Sequence, residues 1–267
     1  MDLEREHLRK TYQVCRLGFG FLSVALGLAC VTSILPLLRH FFHGDVAFLI
    51  ARIEESSWYY WISAPITGGV LLGVTLLWGR WDHVGWQRRV GLLLVMGLVD
   101  GVLWFLDHGA AMGIPETQIG HQWLRINLGE ALGWAEFALL AGLTCDYLEH
   151  LGLEGARDSG KSARAMAATG AVLWMLLFCE RTDWAASWPL RQRQFWVPEE
   201  FFLLLGSMLI WAITLMQVTA MVISATRQTG YVLEEMNRED EANDPLRSPS
   251  DSEDQVDPFA AHQDVKR

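Results

Sequence analysis

Cysteine is scarce in this chain, with four in 267 residues. Cys15, Cys30, Cys145 and Cys179 share no metal-ligand spacing, and each lies within or beside an apolar run, where a thiol behaves as a small hydrophobe. Nothing points to a disulfide framework. Strongly basic stretches are also missing, which argues against nucleic acid as a partner. Neither H-E-x-x-H nor a pair of C-x-x-C motifs occurs. The alternation of apolar and polar residues that builds a soluble core is missing as well. In its place the apolar residues, 51% of the chain, come in long unbroken runs.

One enzyme signature does match by letter. Gly155 to Ser162, ending Gly160-Lys161-Ser162, satisfies the phosphate-loop pattern. That loop needs a strand before it, and Leu151–Glu154 merely continues an apolar segment. A short link between two membrane segments also leaves no room for an α/β domain, so the match is rejected.

The formal charge of −10 is concentrated at one end. From Tyr231 to Arg267 there are eleven acidic and four basic residues, a net of −7, and the rest of the chain carries −3. With Pro245, Pro249 and Pro258 and few large apolar residues, the stretch from about Glu234 is expected to be disordered. Residues 227–267 thus form an acidic tail, with Phe259-Ala260-Ala261 as a short apolar handle for a protein partner.

A bilayer core of roughly 30 Å needs about 20 apolar residues at helical rise. Six segments approach this length: 17–38, 59–78, 90–106, 126–148, 165–185 and 201–226. The first exceeds the core of a signal peptide and is read as a retained anchor. Backbone polar groups cannot stay unpaired in lipid, so all six are expected to be helices. The fold class is therefore all-α: a polytopic transmembrane bundle of about six spans over 17–226, after a cytoplasmic segment 1–16. Between the first two spans, Phe42, Val46, Leu49, Ile50 and Ile53 recur at helical spacing, with Asp45 as N-cap. This predicts a short helix on the membrane surface.

Arginine and lysine set the orientation. With the N-terminus inside, eleven fall on inner flanks (Arg5, Arg9, Lys10, Arg16, Arg80, Arg88, Arg89, Arg157, Lys161, Arg164, Arg227) and six on outer ones. Both termini are expected in the cytoplasm, and the membrane is expected to be the plasma membrane. Trp58, Tyr59, Tyr60 and Trp61 at one end of the second span, and Trp78, Trp81 and Trp86 at the other, fit an interfacial aromatic belt.

Three consecutive spans carry Gly-x-x-x-Gly pairs: Gly69/Gly73, Gly97/Gly101 and Gly129/Gly133. Such pairs flatten a helix face and admit a second backbone, which predicts a tight core of spans two, three and four. Ser23 and Gly27 form a similar small pair in span one.

Ionisable groups inside the spans are the candidate functional residues, because they are costly in lipid and face a bundle interior or an aqueous cavity. Asp100, Asp107, Glu130, Glu136 and Glu180 form such a set, expected toward the outer half. Asp100, Trp104 and Asp107 share one helical face at i, i+4 and i+7. A carboxylate there needs a partner, such as Arg125, Arg181 or a histidine, or it must hold a proton. Three readings follow: an interhelical structural network, a proton or ion pathway, or a metal or haem site using His40, His43, His108 and His121. The one E-x-x-H match, Glu4 to His7, lies outside the bundle. For function, the first expectation is a non-enzymatic assembly, regulatory or scaffold component. A small transporter or proton channel comes second, and an intramembrane metal or redox protein third. The sequence identifies no cofactor, and beyond the tail's handle the lipid bilayer is the only partner it names.

Overall fold

The computed structural model describes residues 2–42, 44–54, 56–78, 85–108, 122–181 and 198–242. Among them there are seven α-helices and no strand: α1 Asp2–Phe41, α2 Asp45–Glu54, α3 Ser57–Leu77, α4 Trp86–His108, α5 Gln122–His150, α6 Ala156–Arg181 and α7 Pro198–Ala242. Four contain stretches long and apolar enough to cross a membrane, within Glu4–Leu35, Trp86–Leu106, Leu128–His150 and Leu205–Ala242. The other two segments read as spans fall short of that measure. In α3 (21 residues) the apolar stretch among the described residues is Trp61–Leu77, and α6 opens with Arg157, Asp158, Lys161 and Arg164 in its first turns.

The short α2 forms where the apolar spacing predicts it, but Asp45 does not cap it. Asp45 is already helical, and Gly44, at φ 69°, accepts the first backbone bond from Phe48. Left-handed backbone at that position favours glycine. Ile50 is buried, while Val46, Phe48 and Leu49 remain exposed.

The core runs along α5, flanked by α1, α4, α6 and α7. Phe19, Leu22, Trp86, Leu143, Tyr147, Leu148, Leu215 and Val218 are all but inaccessible there. Trp86 thus leaves the aromatic belt expected of it. Its ring is buried and its Nε1–H donates to the Leu77 carbonyl at 3.0 Å, satisfying an orphan acceptor at the end of α3. Trp61 and Trp78 stay exposed.

At the same end, Arg89 at the start of α4 pairs with Asp146 on α5 at 2.6 Å. Then α5 stops in a Schellman arrangement. Leu153 N–H donates to Leu148 O and Gly152 N–H to Glu149 O, each at 3.0 Å, with Gly152 at φ 75°. Residues 156–162 of the phosphate-loop match are the opening turns of α6, and no strand precedes them.

Tyr147 joins α5 to α7 through a buried hydroxyl contact with Thr229 Oγ1 at 2.8 Å. Thr229 already donates to Ala225 O, so the tyrosine hydroxyl is its donor partner. Tyr147→Phe is expected to lower stability by about 1 kcal/mol, read as a lower thermal midpoint of the detergent-purified protein. An unchanged midpoint would remove this contact from the account of how α5 holds α7.

The last helix continues past the segment read as membrane-spanning, through Glu234 and on to Ala242, so this part of the acidic stretch is ordered. What stabilises it is charge pairing with α1. Arg5 Nη2 donates to Glu239 Oε2 at 2.7 Å and lies 3.2 Å from Asp240, while Arg9 meets Asp240 at 3.3 Å and bonds Asn237. Composition alone misses this, because the partners are some 230 residues apart. Residues 243–267, with the rest of the tail, lie outside the described residues.

All of these side chains are more than a third exposed, and exposed pairs are worth ~0.2–1 kcal/mol each. Arg9→Glu is therefore expected to loosen the stalk without unfolding the bundle. Amide exchange over 234–242 should rise, and rise again with salt in the wild type, while the midpoint hardly moves. Protection of that stretch equal to wild type in the variant would contradict the charge-paired stalk.

Candidate functional site

The antiparallel helices α4 and α5 approach through glycine, and each supplies the space that the other's carboxylate occupies. A methyl group placed on Gly129 would stand 3.3 Å from Asp100 Oδ1, and one on Gly97 would stand 3.9 Å from Glu136 Oε1. Gly129, Gly133 and Glu136 fall at i, i+4 and i+7, one face of α5. Gly97, Asp100 and Gly101 do the same on α4, at i, i+3 and i+4. Asp100 sits about 20 Å from the Trp86 end of α4 at helical rise, well inside the apolar stretch.

The glycine pairs do not converge on one three-helix core. Gly69 and Gly73 face α1, where added methyl groups would meet Ala25 Cβ at 2.9 Å and the Gly18 carbonyl oxygen at 2.8 Å. Gly97 and Gly101 also look toward α3, at Leu71 and Thr67, and Gly133 faces Trp211 of α7. Gly27 has open space beside it, so the close face of α1 is Gly18, Leu22 and Ala25 rather than Ser23 and Gly27.

Between α1, α3, α4, α5 and α7 lies a cavity of about 160 Å³ that both carboxylates line. Room for a few waters exists in such a volume. Ser33 and Thr67 are the other polar side chains on its wall, the remainder being apolar residues such as Leu26, Leu71 and Leu215. Among the described residues no lysine, arginine or histidine lines it. Glu136 Oε1 is buried and has no hydrogen-bond partner among the described residues. A buried carboxylate oxygen left in this way is costly unless water, a proton or a cation serves it.

One wall is aromatic. Trp134 and Trp211 meet edge to face at 4.9 Å, and Phe137 lies 4.6 Å from Trp211. Trp134 also meets α6, where Gly170 lies so close that an added methyl would overlap its ring. Sequence reasoning overlooked Ser33, Thr67 and Trp211. Their one signal was a small hydroxyl, or a tryptophan, far from either end of an apolar run.

The remaining candidates divide. Glu130 is half-buried and does not line the cavity. Asp107 lies in the last turn of α4 and Glu180 in the last turn of α6. Of the histidines, His40 and His108 belong to α1 and α4, whereas His43 and His121 lie outside the described residues. Among the described residues no three His, Cys, Asp or Glu side chains gather closely enough to hold a metal. No family model matches the sequence, and neither a curated protein nor a solved structure is significantly similar to it.

Proposed function

We propose that this chain is a multi-pass protein of the plasma membrane, crossing six times with both termini in the cytoplasm, that binds and passes protons at the Asp100–Glu136 cavity. One observation carries the reading. Two carboxylates share a small cavity in the bundle, without a basic residue on its wall among the described residues, and one oxygen of Glu136 has no partner among them. A structural network would instead spend those oxygens on hydrogen bonds between helices. Two like charges in a low-dielectric space require neutralisation, and a proton is the smallest ion that supplies it. The eleven-to-six bias of basic residues supports the orientation.

The test is reconstitution of the purified chain into sealed vesicles holding a pH-sensitive dye, with an imposed proton gradient. Dissipation faster than in protein-free vesicles is the expected result. Equal rates, together with Asp100→Asn and Glu136→Gln variants that differ from wild type in stability alone, would replace this reading with a non-enzymatic assembly or scaffold component. The charge-paired α1–α7 stalk is the feature that favours that second reading.

A further inference from the structure

Arg5, Arg9 and Arg16 follow one another along α1, spaced so that they fall on the side toward α7. The first two find acids there, at Glu239 and Asp240. The third does not. Opposite Arg16 stands Gly230, and a methyl group on it would lie 3.4 Å from the guanidinium carbon. Arg16 is exposed and forms no ion pair or hydrogen bond with any described residue. A cation left unmatched in an otherwise matched row sits where the apolar run begins, since Leu17 is the next residue. Gly18 packs against Leu77, so α3 ends at the same level.

A groove of about 850 Å³ opens at this point between α1 and α7. Its wall changes character along α1. Gln13, Arg16 and Asn237 line the end toward the stalk, and Leu17, Phe21 and Val24 line the end toward the membrane. Gly20 lies on the floor, with nothing within 4 Å of the space that a side chain there would take. This ordering matches an amphiphile held upright: an anionic head at the guanidinium and an acyl chain along Leu17, Phe21 and Val24. A guanidinium is suited to bidentate hydrogen bonding with a phosphate, and an arginine near a charged leaflet is attracted to anionic lipid.

We infer that this groove is a binding site for an anionic phospholipid of the leaflet on the side of the termini, with Arg16 holding the phosphate and the Gly20 gap admitting the acyl chain. The site is separate from the acid-lined cavity, and its test does not depend on proton flux.

The full chain, purified in a neutral detergent, is titrated with phosphatidylglycerol while the thermal midpoint is followed, and native mass spectra count retained lipids. A saturable rise in midpoint and one retained phosphatidylglycerol are expected. Phosphatidylcholine should do neither, and inorganic phosphate should leave the midpoint unchanged, which separates a lipid site from a phosphate site. Arg16→Gln should weaken binding about five- to tenfold. Gly20→Leu, which fills the groove and leaves the arginine in place, should abolish retention. Equal retention of the two lipids would overturn the proposal, as would full binding by the Gly20→Leu variant. So would a wild-type dimer that falls to monomer in Gly20→Leu, because a second copy would then be the occupant.

Discussion

In sealed vesicles with an imposed pH gradient, Glu136→Gln and Asp100→Asn are each expected to bring proton flux down to the protein-free level. Neither substitution alters the size of the side chain, so the cavity keeps its volume while losing a site that can gain and release a proton. Stability should stay within about 1 kcal/mol of wild type or rise, because a neutral amide costs less to bury than an uncompensated carboxylate. Glu130→Gln is the informative control. Glu130 lies nearer the start of the same apolar stretch than Glu136 and is absent from the cavity wall, so the variant should conduct like wild type. Flux lost equally in all three variants would point to a general effect of removing charge. Flux retained in Glu136→Gln would end the case for this cavity.

A large loss of stability is expected from Gly73→Ala. The added methyl would stand 2.7 Å from Leu22 Cγ, 2.8 Å from the Gly18 carbonyl oxygen and 3.1 Å from the Leu22 nitrogen. Two of those three atoms are backbone, which cannot turn aside as a side chain can. Helices α1 and α3 must therefore separate along their length, and both Leu22 and Leu77 lose the closeness of their packing. Overpacking of this kind costs about 1–3 kcal/mol, and Gly73→Leu should cost more. Gly27→Ala in α1 has open space around it and should be neutral or slightly stabilising, as alanine favours helix over glycine. Thermal unfolding of the three proteins in one detergent decides the matter. A Gly73→Ala midpoint equal to that of Gly27→Ala would mean that this interface is looser than its geometry implies.

The helices themselves were legible from hydropathy, because a long apolar run in lipid has no alternative to helix. The pairing of their faces was not. Asp100 and Glu130 each sit within a glycine pair, which marks both as buried. Yet a helix turns 100° per residue, so Glu130 looks away from the face that Gly129, Gly133 and Glu136 share. Only the rotation of α5 against α4 decides which acid meets Asp100, and the large residues around Trp134 and Trp211 set that rotation. The ordered end of α7 was hidden for a different reason. Composition from Glu234 onward describes a segment unable to bury apolar surface, and Leu233, just before it, is the last buried apolar residue among the described ones. Its stability comes from Arg5 and Arg9 at the other end of the chain, which no local window contains.

The pairing of α1 with α7 also imposes an order on biogenesis. α1 enters the membrane long before its principal partner exists, since α7 begins at Pro198. At roughly 5–20 residues per second, the interval is on the order of ten to thirty seconds. During that time the α1 flank that will meet α7 must be kept by lipid or by an insertion factor. A ribosome that stops before α7 leaves α1 packed on α3, with the flank meant for α7 uncovered, a ready target for membrane quality control.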